Sequence, residues 1–283
     1  MDAQVGELTL HQFPDGESYV RIDTPVAQRQ VILVCTLDRP NEKFLSLAFV
    51  AATAKQLGAA GVGLVAPYLG YMRQDKRFKD GEGITSAYFG KLLSGAVDWM
   101  VTVDPHLHRY NSLSEIYSVA TQVVHAAPLL SQWIQTRIET PVLVGPDAES
   151  AQWVKAVATA ANAPYVILEK TRHGDHDVQI RVPAVEQWRT HTPVLVDDIV
   201  STGRTMIETM THLKRAGLPP PVCAGVHAVM AGTAYADLLA AGAASVVTCN
   251  TITHASNDID VTPPIADAVR AMLSASHTNS GGR

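Results

Sequence analysis

Apolar residues gather in short runs rich in Val, Ile and Leu, separated by longer stretches in which apolar positions recur every three to four residues. The runs Val31–Thr36, Val62–Pro67 and Trp99–Asp104 carry almost no polar position, so they read as strands buried on both faces. Leu45–Leu57 and Thr85–Leu93 read as helices between them. After a helical stretch around Leu129–Gln135 the rhythm restarts. Strands are expected at Pro141–Val144, Tyr165–Leu168, Val194–Val196, Cys223–Val226 and Ser245–Cys249, and helices at Ala151–Ala161, Met206–Ala216 and Ala234–Ala241. Alternating strands and helices predict an α/β fold with mostly parallel sheets flanked by helices, and the restart predicts two such sheets. The expected domains are residues 1–128 and 129–275, with a small, polar, flexible tail over 276–283. One segment breaks the rhythm. Val178–Val182 alternates apolar and polar residues, so Lys170–Val182 reads as an exposed β-hairpin and not as a crossover helix.

At 283 residues the chain can bury two full α/β cores. Hydrophobic residues make up 47% and charged residues only 17%, which implies generous burial and leaves room for a subunit interface. A net charge of −5 without any basic stripe excludes general nucleic-acid binding. Basic residues concentrate instead in Arg73–Lys79 and Lys170–Arg172, which suits a small anionic ligand. Cys35, Cys223 and Cys249 show no CxxC spacing and read as reduced thiols of a cytoplasmic protein. No apolar run is long enough to cross a bilayer, and Met1–Gln4 lacks the start of a signal peptide. No membrane partner is therefore expected.

The most informative stretch is Pro193–Met206. Apolar residues lead to the adjacent carboxylates Asp197 and Asp198, then to Ser201, Thr202 and Gly203, and then to Arg204 and Thr205 at the start of a helix. Backbone N–H groups, hydroxyls and the positive end of a helix dipole converge there, which suits a phosphate. The carboxylates repel phosphate, so they fit ribose hydroxyls or a Mg²⁺ held beside it. An acidic strand end followed by an ordinary Ser/Thr cap has some of the same features. A second motif, Pro67–Phe78, combines aromatic rings with Arg73, Gln74 and Asp75 directly after a strand. A guanidinium offers a planar fork for phosphate, and the rings and amide suit a purine. For Lys76, Arg77 and Lys79 a solvated loop explains the composition equally well.

Together these segments resemble the ribose-phosphate pyrophosphokinases, or PRPP synthetases. Gly70–Tyr71–Met72–Arg73–Gln74–Asp75 resembles the family's Gly-Tyr-Ala-Arg-Gln-Asp signature. In family order, Phe13–Glu17 looks like Phe-x-Asp-Gly-Glu, Asp104–His106 like Asp-x-His, Gly145–Asp147 like Ser-Pro-Asp, and Lys170–Arg172 like the Lys-x-Arg of a catalytic flap. The resemblance spans about Phe13 to Asn250. It implies two tandem type I phosphoribosyltransferase-like domains, a flap in the second, and transfer of the diphosphoryl group of ATP to ribose 5-phosphate. It further implies catalytic roles for Lys170 and Arg172, and ATP contacts from Phe13, Asp15, Glu17, Arg73, Gln74 and Asp75. Asp197, Asp198, Ser201, Thr202, Gly203, Arg204 and Thr205 are expected to hold ribose 5-phosphate. Mg²⁺ is the implied cofactor, with His106 and Asp147 as its ligands; Asp147 serves equally well as the cap of the helix that follows. The Phe13–Glu17 segment, also readable as a plain β-turn, is the part that a neighbouring subunit supplies in this family, which implies at least a homodimer.

Several positions depart from the family pattern. A strand and helix that usually precede the Phe13 segment are absent, which is expected to leave the first sheet short of an edge element. Ser201 replaces an acidic residue, as in the shorter archaeal-type branch, Arg204 replaces a small residue, and Gly83 a proline; Ala148–Glu149–Ser150 replaces a glycine-containing stretch. Two alternatives stay open at this point: a non-catalytic, nucleotide-binding regulator on the same fold, and a phosphoribosyltransferase that consumes PRPP.

Overall fold

The computed structural model describes residues 3–146, 150–173, 177–181 and 185–280. Two compact units emerge, Met1–Val124 with Thr262–Arg283, and His125–Val261. The first unit opens with an antiparallel hairpin, β1 (Leu8–Gln12) and β2 (Ser18–Ile22). A four-stranded parallel sheet follows, made of β3 (Gln30–Val34), β4 (Gly61–Ala66), β5 (Trp99–Val103) and β6 (Ala120–Val124), side by side in that order. Helix α1 (Pro40–Gln56) joins β3 to β4, and α2 (Thr85–Ala96) joins β4 to β5. Pro40 sits in the first turn of α1, where its missing N–H costs nothing. The core lies between helices and sheet, with Leu47, Ala51, Val62, Leu64, Phe89, Leu93 and Met100 buried together.

The second unit holds a six-stranded parallel sheet. Its strands are β7 (Pro141–Gly145), β8 (Tyr165–Ile167), β11 (Thr192–Val200), β12 (Val222–Ala228), β13 (Ser245–Cys249) and β14 (Asn257–Ile259). They lie in the order β14-β13-β12-β11-β7-β8. Helices α3 (Ala127–Arg137), α4 (Ala151–Ala160), α5 (Arg204–Arg215) and α6 (Ala234–Ala240) belong to the same unit. The chain runs from β7 outward to β8 and then returns to β11 on the other side of β7. Ligands of open α/β sheets bind at the carboxyl ends of the strands flanking such a reversal. Val144, Leu195, Met206, Met210, Leu213 and Leu238 form this unit's core. Between β8 and β11, strands β9 (Glu169–His173) and β10 (Asp177–Arg181) pair antiparallel as a separate two-stranded ribbon, which is the expected hairpin.

Several elements extend or escape the sequence reading. Strand β11 runs past the expected Val194–Val196, through Asp197 and Asp198 to Val200, so both carboxylates stand within the strand and not just beyond its end. Strand β6, an edge strand, is exposed at Ala120 and Gln122 and carries the adjacent polar pair Thr121–Gln122, so no apolar run marks it. Strand β3 forms the opposite edge, with Val34 73% exposed. The last helix, α7 (Thr262–Ser280), packs on β5 and β6 and belongs with the first unit. The expected second domain ends at 275, and the expected tail covers 276–283. No helix among the described residues is long and apolar enough to cross a membrane.

Candidate active site

In the first unit, two loops leave the carboxyl ends of the neighbouring strands β4 and β5. The loop after β4 begins with a close approach: a Cβ on Gly70 would lie 2.7 Å from the Leu37 carbonyl oxygen. Tyr71 then adopts a φ of +63°, a conformation costly for a residue with a Cβ. Its hydroxyl bonds to Asn41 Oδ1, and its ring packs on Phe89 at 4.7 Å between centroids. Met72 turns inward beneath the loop, where the Tyr117 hydroxyl lies 3.8 Å from its sulfur. Burial raises the pKa of that phenol well above its ordinary value. The chain then presents Arg73 to solvent and leaves Gln74 half-buried. The Thr85 hydroxyl donates to Gln74 Oε1 at 2.9 Å, and the Ser86 N–H donates to the Gln74 carbonyl at 3.3 Å, which ties the motif to the start of α2.

Asp75 points into the protein. Its side chain is 2% exposed, and Arg109 Nη1 donates to both of its oxygens, at 2.7 and 3.0 Å. Arg109 lies in the loop after β5, three residues beyond His106. In that loop the Asp104 N–H donates to the Val124 carbonyl at 3.0 Å, and the His106 and His108 ring centroids lie 3.8 Å apart with the planes tilted by 42°. The structure thus joins the Arg73–Gln74 loop to the His106 loop through Asp75 and Arg109. Arg109 was not singled out in the sequence. The available signal was indirect: a buried carboxylate needs a cation, and this Arg follows a candidate metal ligand.

The hairpin tip of the same unit matches the expected turn. The Phe13 N–H donates to the Glu17 carbonyl at 2.8 Å, and the Glu17 N–H donates to Asp15 Oδ1 at 3.2 Å. Phe13, Asp15 and Glu17 are all exposed, and the Phe13 ring meets His11 edge-on at 5.4 Å. A neighbouring molecule can reach all three.

In the second unit, Asp197 and Asp198 are half-buried at the carboxyl half of β11, past its pairing with β7, with Asp197 opposite Gly225 of β12. Asp197 Oδ1 accepts the Asp198 N–H at 3.0 Å. Ser201, Thr202 and Gly203 make the tight connection to α5, whose buried face is Met206, Thr209, Met210 and Leu213. Gly203 caps this helix with φ +67° and ψ −2°. The turn is clamped from outside: Met230 N–H donates to the Val200 carbonyl at 2.9 Å and Ala231 N–H to the Ser201 carbonyl at 3.0 Å. These bonds fix the shape of the turn, and the first-turn amides of α5, which have no intrahelical acceptor, suit an anion. Arg204 and Thr205 begin that turn. Position 170 pairs with Ile180 and position 172 with Val178, so both lie on one face of the β9–β10 ribbon. Asp147 lies outside the described residues.

Comparison with known proteins follows this layout. The N-terminal domain of ribose phosphate pyrophosphokinase matches residues 1–96, and the phosphoribosyl transferase domain matches residues 112–264. A ribose-phosphate pyrophosphokinase from Saccharolobus solfataricus is 34% identical over 260 residues, covering 90% of this chain and 88% of its own. A ribose-phosphate pyrophosphokinase from Methanopyrus kandleri is 32% identical over 272 residues, covering 95% and 92%. The crystal structure of phosphoribosylpyrophosphate synthetase from Mycobacterium smegmatis superposes with a TM-score of 0.82, covering 97% of this chain and 92% of that one. At 24% identity that last likeness is one of fold.

Proposed function

The chain belongs to the ribose-phosphate pyrophosphokinase family, and from that premise we propose that it transfers the β,γ-diphosphoryl group of ATP to the 1-hydroxyl of ribose 5-phosphate, releasing AMP and PRPP. The observation that carries the reading is the presence of two kinds of site in one chain. The clamped turn at Ser201–Thr205 behind Asp197–Asp198 suits a ribose phosphate. The Arg73–Gln74 loop, bound to the His106 loop, suits a nucleotide. An enzyme that only consumes PRPP needs the first and not the second.

In the proposed reaction the 1-oxygen of ribose forms a bond to the β-phosphorus. The bond from that phosphorus to the α,β-bridging oxygen breaks, and AMP leaves with the electron pair while the hydroxyl proton passes to solvent. The protein's work is to position the reactants and to neutralise charge on the phosphate oxygens. Ser201, Thr202, Gly203, Arg204 and Thr205 hold the 5-phosphate, and Asp197 and Asp198 accept from the ribose hydroxyls. Arg73 and Gln74 hold ATP in the loop that Asp75 anchors, and Phe13, Asp15 and Glu17 hold its base, supplied by a neighbouring subunit in at least a homodimer. Lys170 and Arg172 bring cationic charge to the transferred group. His106 and Asp147 are the proposed magnesium ligands, and the oxygen donors of Asp197 and Asp198 separately suit a magnesium beside the ribose phosphate; when bound, the ion would supply charge neutralisation on the phosphates. A cytoplasmic location fits these substrates. Mixing the protein with Mg²⁺, ATP and ribose 5-phosphate should give AMP and PRPP in equal amounts, with no AMP when the sugar phosphate is omitted. Bound ATP without any AMP would move the assignment to a regulator.

A further inference from the structure

The loop carrying the nucleotide motif and the loop carrying the candidate metal ligand leave adjacent strands, and each is fixed on both sides of its functional residue. Arg73 and Gln74 stand between Tyr71, held by Asn41 and Phe89, and Asp75. His106 stands between Asp104, whose N–H is bound to the Val124 carbonyl, and Arg109. The inner side-chain anchor that the two loops share is the Arg109–Asp75 ion pair. Asp75 cannot leave it cheaply, because an uncompensated carboxylate at 2% exposure has lost its hydration. Arg109 is also fixed from outside, its Cζ lying 5.7 Å from the Phe78 ring centroid, and the neighbouring Tyr110 hydroxyl adds a backbone link between the loops by donating to the Asp75 carbonyl at 3.4 Å.

We propose that Asp75 and Arg109 form a positioning bridge that sets the spacing between the nucleotide-binding loop and His106, and that Asp75 acts through Arg109 and not by touching ATP. The inference rests on the proposed activity and refines its ATP side. Both Asp75 oxygens are engaged by a single donor atom, so the carboxylate is directed at its partner and away from any ligand. A misplacement of about 1 Å can cost two orders of magnitude in rate. The bridge is therefore expected to act on ATP use and not on ribose 5-phosphate use.

The test compares Arg109→Gln, Asp75→Asn, the double variant and Arg109→Lys with the wild type, by steady-state kinetics and by hydrogen exchange of residues 104–112 without substrates. Arg109→Gln and Asp75→Asn should each lose about tenfold or more in kcat/KM for ATP, while KM for ribose 5-phosphate changes by less than about twofold. The double variant should be no worse than the poorer single one, because both remove the same bridge. Arg109→Lys, which keeps a cationic donor, should recover most of the loss. Exchange over 104–112 should quicken by about tenfold in the singles while β4 stays protected. Multiplicative losses in the double variant would overturn the proposal, since they would mean two independent contacts. So would unchanged kcat/KM per folded molecule with only a lowered melting temperature, or unchanged exchange. A wild type that forms no AMP would instead strike at the proposed function itself.

Discussion

Gly203→Ala tests the turn on which ribose 5-phosphate is proposed to sit. Gly203 has a φ of +67°, where an alanine costs about 1–2 kcal/mol. A Cβ there would also lie 3.1 Å from Cγ of the fully buried Leu238, and that crowding adds about 1 kcal/mol. The total is about 2–3 kcal/mol. It can appear in two places. If the turn keeps its shape, the variant loses this much stability. If the turn relaxes, the amides after Ser201 move, and part of the loss appears as weaker sugar-phosphate binding, with each 1.4 kcal/mol worth about tenfold in KM. Urea unfolding followed by tryptophan fluorescence reads the first, because Trp133, Trp153 and Trp188 all belong to the second unit. Initial rates against ribose 5-phosphate read the second. Gly203→Asn serves as a control: asparagine tolerates the left-handed conformation but keeps the crowding, so it should recover about half of the loss. A Gly203→Ala variant within about 0.5 kcal/mol of wild type, with an unchanged KM for ribose 5-phosphate, would refute the reasoning.

Three further outcomes are expected. Lys170→Ala should lower turnover by orders of magnitude with little change in stability or ATP affinity, and near-normal turnover would remove Lys170 from the mechanism. Phe13→Ala, at an exposed hairpin tip, should raise KM for ATP several-fold without lowering the melting temperature; an unchanged KM would detach the hairpin from the nucleotide. Burial pushes the Cys223 thiol up to about 12, so it should resist thiol reagents at pH 9 until the protein is unfolded. Because its folded pKa lies above the unfolded value near 9.0, its contribution to stability is complete below about pH 9 and is lost between there and about pH 12. A Cys223→Ser variant should show a shallower decline over that window in alkaline unfolding titrations, and an identical decline would exclude the thiol as its cause.

Most of the strands were legible in the chain as apolar runs, because β4, β5, β7, β12 and the first half of β11 are largely buried on both faces and carry few polar residues. The edge strand β6 and the short β14 carry no such run. The helix α7 was not read from the sequence: Ile265, Ala268, Val269 and Met272 are spaced for one helical face after Pro263 and Pro264, but the polar residues after Ser274 hid the pattern. At the candidate site, the residue types of Arg73, Asp197 and the Ser201–Thr205 turn suggested the chemistry now proposed for them. The partner of Asp75 did not, because pairing across two loops depends on which strands are neighbours, and no local pattern records that. For the same reason the clamp by Met230 and Ala231 on the 201–205 turn appeared only once β11 and β12 stood side by side.

The central claim is transfer of an intact diphosphoryl group, and the fate of the label from [γ-³²P]ATP tests it most directly. Incubation with Mg²⁺ and ribose 5-phosphate should place the label in the terminal phosphate of PRPP, with one unlabelled AMP formed for each labelled product. Label on a singly phosphorylated sugar together with ADP, or label released only as inorganic phosphate, would contradict it.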